Sequence, residues 1–114
     1  MNRDYAKFPD DENGDVLWKM LEQGDNLSKR REIDFSVIFP SEESALQFAV
    51  RLLRGDQKVS LSGYDGSDEF PWQVEVHPTM EPTYENVSGF ERQLEEEAAK
   101  LGGRNDGWGS FAQE

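Results

Sequence analysis

The feature of the sequence that most constrains the fold is a long amphipathic segment in the last third of the chain, beginning at Tyr84. Its apolar residues recur at spacings of three or four, which places them on one face of an α-helix. They are Val87, Phe90, Leu94, Ala98 and Leu101. Thr83 is the expected N-cap, and Gly102 and Gly103 are expected to end the helix in left-handed conformations. Because a helix with one apolar stripe is not stable alone, the upstream sequence must supply the surface that it covers.

The run after this helix, from Arg104 to Phe111, contains a turn signal. Asp106 and Gly107 predict a tight turn, which would bring Trp108 and Phe111 back towards the body of the protein. From Gly107 onwards the run is predicted to form a short strand.

A short helix is predicted near the N-terminus, from Asn13 to Gln23, with Asn13 or Asp15 as its N-cap and Gly24 as its stop. Its buried side is expected to consist of Val16, Leu17, Met20 and Leu21. Trp18 lies off the centre of that stripe, where packing at the helix edge is favoured over contact with a partner.

A strand and a second helix are predicted between these two helices. Apolar and polar residues alternate from Ile33 to Phe39, which is typical of a half-buried strand. Ser41 is the expected N-cap of the helix that follows, and Gly55 its expected end. The apolar face of this helix consists of Ala45, Phe48, Ala49, Leu52 and Leu53.

Two further strands complete the pattern, one marked by Val59 and Leu61 and one running from Phe70 to Val76. A strand–helix–strand crossover followed by a hairpin and a helix is the split βαβ, ferredoxin-like arrangement. The predicted fold class is therefore α+β, with an antiparallel sheet of three to four strands, helices on one face and an extra N-terminal helix. The third strand is expected between the first two, and the C-terminal run beside the first strand.

The sheet face away from the second and third helices is predicted to be polar, unless the first helix lies across part of it. It would show Ser36, Lys58, Ser60, Gln73, Glu75 and His77, together with an exposed-looking Ile38.

The charge balance restricts the partners of the chain, which has 114 residues. A single domain is predicted at residues 13–114, behind a flexible acidic arm at residues 1–12. Lys and Arg number 12 against 24 Asp and Glu, so the net charge is −12. Direct binding to nucleic acid is disfavoured, because neutralising phosphates needs clustered basic side chains. A basic protein partner, or imitation of a polyanion, is favoured instead.

Cysteine is absent from the sequence, which excludes disulfides and thiol catalysis and fits a reducing compartment. No apolar run approaches the ~20 residues that span a bilayer, and the N-terminus lacks the apolar region of an export signal. The chain is therefore predicted to be cytoplasmic and without membrane contact. Its oligomeric state is left open.

The residues offer little support for catalysis. His77 is the single histidine, and it reads either as a general base or as a solvated residue at the end of a strand. No Ser or Asp stands at a diagnostic spacing from it, so the prediction is a protein that is not an enzyme and has no cofactor.

Calcium loops are also not supported. An EF-hand loop has a glycine at its sixth position and an oxygen ligand at its first. If Gly14 or Gly66 were that glycine, the first ligand position would be Pro9 or Leu61, which lack a side-chain oxygen. No metal site is predicted, although weak cation binding near Asp65, Asp68 and Glu69 stays an alternative.

Acidic side chains are the candidate partner-binding residues. They lie on the outer face of the last helix and in the loop before the third strand, and they are Glu85, Glu95, Glu96, Asp65, Asp68 and Glu69. The alternative interpretation of Glu95 and its neighbours is an ordinary solvated helix face. Charges of this kind speed the encounter with a basic partner, over a screening length of about 8 Å at physiological salt.

Several short stretches together resemble the regulator of ribonuclease E activity B family. They include Asp15-Val16-Leu17, Leu21-Glu22-Gln23-Gly24-Asp25, Ile33-Asp34-Phe35, Phe48-Ala49, Phe90-Glu91 and, as the most specific, Asp106-Gly107-Trp108-Gly109. The resemblance covers roughly residues 13 to 111. It implies a small acidic cytoplasmic bacterial protein with a ferredoxin-like core and no catalytic residues. Asp106, Gly107, Trp108 and Gly109 match the family motif, and a structural role is favoured for them.

The same resemblance implies the partner. Members of this family bind the endoribonuclease that initiates RNA decay, through its non-catalytic scaffold region, and so inhibit or redirect cleavage. Characterised members carry a long acidic tail after the Asp106–Gly109 segment, whereas this sequence has an acidic stretch at its front.

Three hypotheses about function follow. The first is a regulator that binds endoribonuclease E, or another basic protein, through acidic faces. The second is a small-ligand or metal-responsive module that uses the loop from Tyr64 to Glu69 together with His77. The third is a polyanion mimic that occupies the nucleic-acid groove of a nuclease.

Overall fold

The computed structural model describes residues 2–110, which form three helices and six strands. The helices are α1 (Glu12–Glu22), α2 (Glu42–Arg54) and α3 (Tyr84–Ala99). The strands are β1 (Arg31–Glu32), β2 (Asp34–Phe39), β3 (Val59–Gly63), β4 (Trp72–Val76), β5 (Thr79–Met80) and β6 (Arg104–Gly109). The predicted α+β class is confirmed.

The main sheet has the strand order β3-β4-β2-β6, and all of its neighbouring pairs are antiparallel. The expected position of the third predicted strand, between the first two, is confirmed by β4. The C-terminal run does pair beside β2. It begins three residues earlier than predicted, at Arg104, and Phe111 lies outside the described residues.

Asp106 and Gly107 do not form the predicted tight turn, because they lie inside β6 as a bulge. Phe35 pairs with Trp108 while Val37 pairs with Asn105, so two residues of β6 face one residue of β2. Gly107 takes a φ of +95°, which suits glycine.

Two very short strands, β1 and β5, form a separate antiparallel ribbon that the sequence analysis did not predict. Strands of two residues carry no detectable periodicity, which explains the omission. The Ile33 amide between β1 and β2 donates to the Pro78 carbonyl at 2.9 Å, so the ribbon and the sheet are continuous there.

The core lies between the sheet and one layer of helices. α2 packs on β3 and β4, and α3 packs on β2 and β6. The predicted apolar face of α3 is confirmed by the burial of Val87, Leu94 and Ala98. The Thr83 hydroxyl caps the helix by accepting from the Asn86 amide. At the other end, Gly102 is left-handed with a φ of +77°.

Gly103 plays a different part from the one expected. It is not left-handed, and its α-carbon instead lies so close to the Phe39 ring that a β-carbon would overlap it. This close approach lets the chain turn from α3 into β6 over the end of β2.

The first helix differs from the prediction in its start and in its buried face. Its N-cap is Asp11, whose carboxylate accepts from the Gly14 amide at 2.8 Å, rather than Asn13 or Asp15. α1 packs against α3, so only a narrow face is covered: Leu17 is buried while Val16 is 40% exposed. The Trp18 prediction is confirmed, since its ring packs 5.5 Å from that of Phe8.

Two individual burial predictions are also wrong. Leu53 is 55% exposed, because around the helix it aligns with the exposed Leu46 and Val50. Ile38 is only 4% exposed. It is flanked across the sheet by Gln73 and Arg104, whose long side chains shield an inner strand.

Both predicted ends of α2 are confirmed. Ser41 caps its start by accepting from the Ser44 amide, and Gly55 is its C-cap. The left-handed residue is the next one, Asp56, with a φ of 64°.

The segment before α1 makes several contacts with the rest of the structure. Inside the segment, Arg3 donates to the carbonyls of Phe8 and Pro9, and its guanidinium reaches α1, 2.8 Å from the Asp15 carboxylate. Phe8 is buried beside Trp18. The division of the chain at residue 12 stays a prediction.

We expect Gly14→Ala and Gly89→Ala to have opposite effects, although both glycines lie inside helices. A β-carbon at Gly14 would overlap the Pro9 carbonyl, whereas Gly89 faces open space. G14A should lower the free energy of unfolding by about 1–3 kcal/mol. G89A should raise it by about 0.5–1 kcal/mol. Urea denaturation of both variants measures this, and equal stabilisation would show that the first residues do not dock against α1.

Candidate functional site

A chain of hydrogen bonds joins α1, α3 and β6. The Trp108 indole nitrogen donates to the Asn13 amide oxygen at 2.9 Å, and the Asn13 amide nitrogen donates to Glu91 at 3.0 Å. The other Glu91 oxygen accepts from the Asn105 side chain at 3.1 Å. Asn105 in turn accepts from the Gly107 amide in the bulge. The family motif is therefore bonded directly to α1 through Trp108, and it is connected to α3 through Asn13 and Asn105.

This network forms one wall of a small acidic cleft with a volume of about 350 Å³. The cleft is lined by Glu12, Asn13, Val16, Glu91, Asn105, Asp106, Gly107 and Trp108. No ion pair among residues 2–110 involves its three carboxylates. Carboxylates beside an indole ring suit a cationic side chain, and above all a guanidinium, which combines paired hydrogen bonds with stacking.

Two tyrosine hydroxyls bond to carboxylates in the cleft or next to it in sequence. Tyr84 donates to Asp11, and Tyr64 donates to Asp106 at 3.2 Å. The Tyr84 hydrogen bond, helped by the Gly14 amide, lowers the pKa of Asp11 below its usual 3.8. The same bond raises the pKa of Tyr84. The Asp106 hydrogen bond likewise raises the pKa of Tyr64.

The six predicted partner-binding carboxylates are all exposed, and none is in an ion pair within the described part of the chain. The structure does not bring them into one cluster. The loop that holds Asp65, Asp68 and Glu69 approaches the cleft through the Tyr64–Asp106 bond. Glu85 and Glu96 are separated by eleven residues of α3, or roughly 16 Å along its axis.

The cleft itself was not predicted. Glu12, Glu91 and Asp106 are far apart in the sequence and meet only because α1, α3 and β6 pack together. The one available signal was the family motif, which includes Asp106 and Trp108 but says nothing about their neighbours.

A second polar group on the open face of the sheet was also missed. Ser60 Oγ lies 2.7 Å from His77 Nε2, and Asp34 Oδ1 lies 2.6 Å from His77 Nδ1. Sequence spacing did not reveal these partners, because strand pairing brings them to the histidine. The absence of a diagnostic spacing in the sequence therefore did not mean that His77 lacks Ser and Asp neighbours in space.

The loop from Tyr64 to Glu69 and His77 do not form one site. They lie at opposite ends of β4, since Trp72 pairs with Gly63 while the His77 amide bonds to Lys58. His77 lies five positions after Trp72, which is roughly 17 Å along an extended strand. The metal-responsive hypothesis is thus wrong in combining them.

A wider concavity of about 790 Å³ lies along α2. It is lined by Glu42, Glu43, Leu46, Gln47, Val50, Arg51, Arg54 and Leu101. Its mixture of acidic and basic side chains distinguishes it from the cleft, so it is less suited to a strongly basic partner.

The fold is thus α+β, with an acidic cleft beside Trp108 where α1, α3 and β6 meet. No helix among residues 2–110 is long and apolar enough to cross a membrane.

The chain belongs to the family described as Regulator of ribonuclease activity B, whose model matches residues 10–110. The match includes every helix and strand described above and the whole acidic cleft, and it confirms the resemblance seen in the sequence. The family is one of regulators of ribonuclease activity. No individual curated protein matches the chain.

We expect Asn13→Asp to destabilise the protein more than Asn13→Ala. Asn13→Ala loses the bonds to Trp108 and Glu91, at about 1–3 kcal/mol for unsatisfied partners. Asn13→Asp keeps an oxygen that accepts from Trp108 but loses the donor to Glu91. The new carboxylate would also face that of Glu91. Urea denaturation at neutral pH should rank the variants in this order, with the exposed Asn2→Asp as a control of equal charge change. Similar stability of N13D and N2D would contradict the network.

The Tyr84→Phe variant should raise the pKa of Asp11 towards its usual value, because the hydroxyl that favours the carboxylate is removed. A carboxyl group whose pKa is lower in the folded than in the unfolded state stabilises the fold at pH values above the unfolded pKa. This stabilisation is lost as the pH falls through the folded pKa. The free energy of unfolding of Y84F should therefore decline less than that of the original protein as the pH falls from about 5 through the pKa of Asp11. Carboxyl NMR titration measures the shift, and Tyr64→Phe should leave Asp11 unchanged.

Proposed function

We propose that this chain regulates an endoribonuclease of the ribonuclease E type by binding a basic segment of its non-catalytic scaffold region. The chain catalyses no reaction in this proposal, and its binding inhibits or redirects RNA cleavage. Membership of a family of ribonuclease regulators supports the class of partner. The single observation that carries the binding mode is the acidic cleft around Trp108.

The charge distribution supports a basic protein partner over RNA. Within residues 2–110 the acids engaged in ion pairs are Asp15, Asp25, Glu32, Asp34 and Glu97. Most of the 24 acidic side chains therefore keep their charge available on a chain of net charge −12. Such a surface repels phosphates, whereas it attracts a segment rich in Arg.

The proposed contact places an Arg side chain of the partner in the cleft. Glu12 and Asp106 lie at its rim with no cationic partner, so either could accept the paired hydrogen bonds of a guanidinium. Glu91 is held by two Asn side chains and contributes charge rather than a free acceptor.

The predicted carboxylates around the cleft have a supporting role in this proposal. Asp65, Asp68 and Glu69 extend the negative surface beyond Tyr64, and Glu85 extends it beyond Tyr84. Glu95 and Glu96 add charge further along α3. Exposed charges of this kind raise the association rate more than the affinity, and their effect is screened by salt. The proposed location of this activity is the cytoplasm.

Neutralising the rim of the cleft should weaken the complex selectively. We expect the double variant Glu12→Gln, Asp106→Asn to bind a recombinant scaffold fragment about tenfold more weakly, equivalent to about 1.4 kcal/mol. The double variant Glu42→Gln, Glu43→Gln removes the same charge from α2 and should bind almost as well as the original protein. Calorimetric titration at two salt concentrations measures both effects.

Two outcomes of that titration, and one outcome of a competition experiment with the catalytic domain, would count against the proposal. The first is no complex at low salt, and the second is an equal loss of affinity in both double variants. The third is displacement of this protein from the catalytic domain, rather than the scaffold, by an RNA oligonucleotide. That result would support the polyanion-mimic hypothesis instead.

A further inference from the structure

Three potential metal ligands converge where the small ribbon leaves the main sheet. Glu32 belongs to β1, Asp34 begins β2, and His77 follows β4. One ligand atom from each lies within 4.8 Å of the others. His77 Nδ1 is 2.6 Å from Asp34 Oδ1 and 3.9 Å from Glu32 Oε1.

The two separations from His77 are close to those of a tetrahedral site. An ion with bonds of about 2.1 Å holds its ligand atoms about 3.4 Å apart. Asp34 would move away from His77 by less than 1 Å, and Glu32 would approach by a similar distance. Glu32 is the more exposed of the two carboxylates, at 45% of its side chain, so its rotamer is free to adjust.

The histidine is already oriented as a metal ligand. Its side chain is 12% exposed, and Ser60 Oγ lies 2.7 Å from its Nε2. When Nδ1 coordinates an ion, Nε2 carries the proton and donates it to the hydroxyl, so the second ring nitrogen keeps a protein partner. A protein partner on the second ring nitrogen is a regular feature of histidines that bind metals.

A lysine side chain pairs with one of the three potential ligands. Lys58 Nζ donates to both Glu32 oxygens, at 3.3 and 3.1 Å. An ammonium on this carboxylate shows that the site favours positive charge, and a divalent ion would have to displace it.

From this geometry we infer that Glu32, Asp34 and His77 bind a divalent transition-metal ion of the Zn²⁺ class. One imidazole and two carboxylates suit Zn²⁺ and Co²⁺, whereas Mg²⁺ and Ca²⁺ prefer oxygen ligands alone. The ion leaves a fourth position for water. It links β1 to β2 and to the end of β4, so it fastens the ribbon to the sheet.

This inference is independent of the proposed partner, because the ligands lie on different elements from the cleft residues Glu12, Asp106 and Trp108. Failure of one idea would therefore leave the other standing. The cleft double variant should bind Zn²⁺ as the original protein does.

The test is calorimetric titration of the untagged full chain with Zn²⁺, together with absorption spectra of the Co²⁺ form. We expect one strong site with the intense visible bands of four-coordinate Co²⁺, and no saturable binding of Mg²⁺ at the same concentrations. His77→Gln should abolish this site, and Ser60→Ala should weaken it about 10- to 100-fold. Asp65→Asn, in the acidic loop, is the matched control and should have no effect.

Two further variants keep the test decisive even if His77→Gln folds poorly. Glu32→Gln changes an exposed ligand and should weaken Zn²⁺ binding, while Lys58→Met removes the competing ammonium and should strengthen it. Binding that is insensitive to H77Q and E32Q, or equally sensitive to D65N, would show adventitious binding to surface carboxylates and overturn the inference. Absence of saturable Zn²⁺ binding would do the same.

Discussion

The packing of the α3 apolar stripe on β2 is the interaction on which the rest of the structure depends. The Phe90 ring lies 4.8 Å from that of Phe35, between centroids, and Val87, Leu94 and Ala98 are buried around it. Because α3 covers β2, the chain beyond Gly102 returns along the remaining edge of that strand and forms β6 there. The acidic cleft is built where this returning strand meets the two helices.

The residues of the cleft meet two physical requirements at once. Their inner side satisfies polar groups that packing has partly removed from water, since the Trp108 indole, the Asn13 amide and the Glu91 carboxylate bond to one another. Their outer side leaves Glu12 and Asp106 without cationic partners. The same contacts that join α1, α3 and β6 therefore leave an acidic surface exposed to solvent.

Local patterns in the sequence determined the helices, their main apolar faces and the order of the larger strands. Thr83 and Ser41 accept hydrogen bonds from amides three residues further along the chain, so their capping roles can be predicted from local sequence. The split βαβ arrangement follows from element order and the handedness of crossovers. Family membership was equally readable, because the Asp106–Gly109 motif is contiguous, and so was the strong negative charge.

Only the tertiary structure decided which distant residues meet. The bulge at Gly107 depends on the register of β6 against β2, and Asp11 replaces Asn13 as a cap because α3 and Trp108 engage the Asn13 side chain. Asp34 and Ser60 reach His77 across strands that periodicity alone does not align. The period of a single strand specifies which side chains share a face, but pairing register decides which of them touch. That register is set by the closure of the whole core.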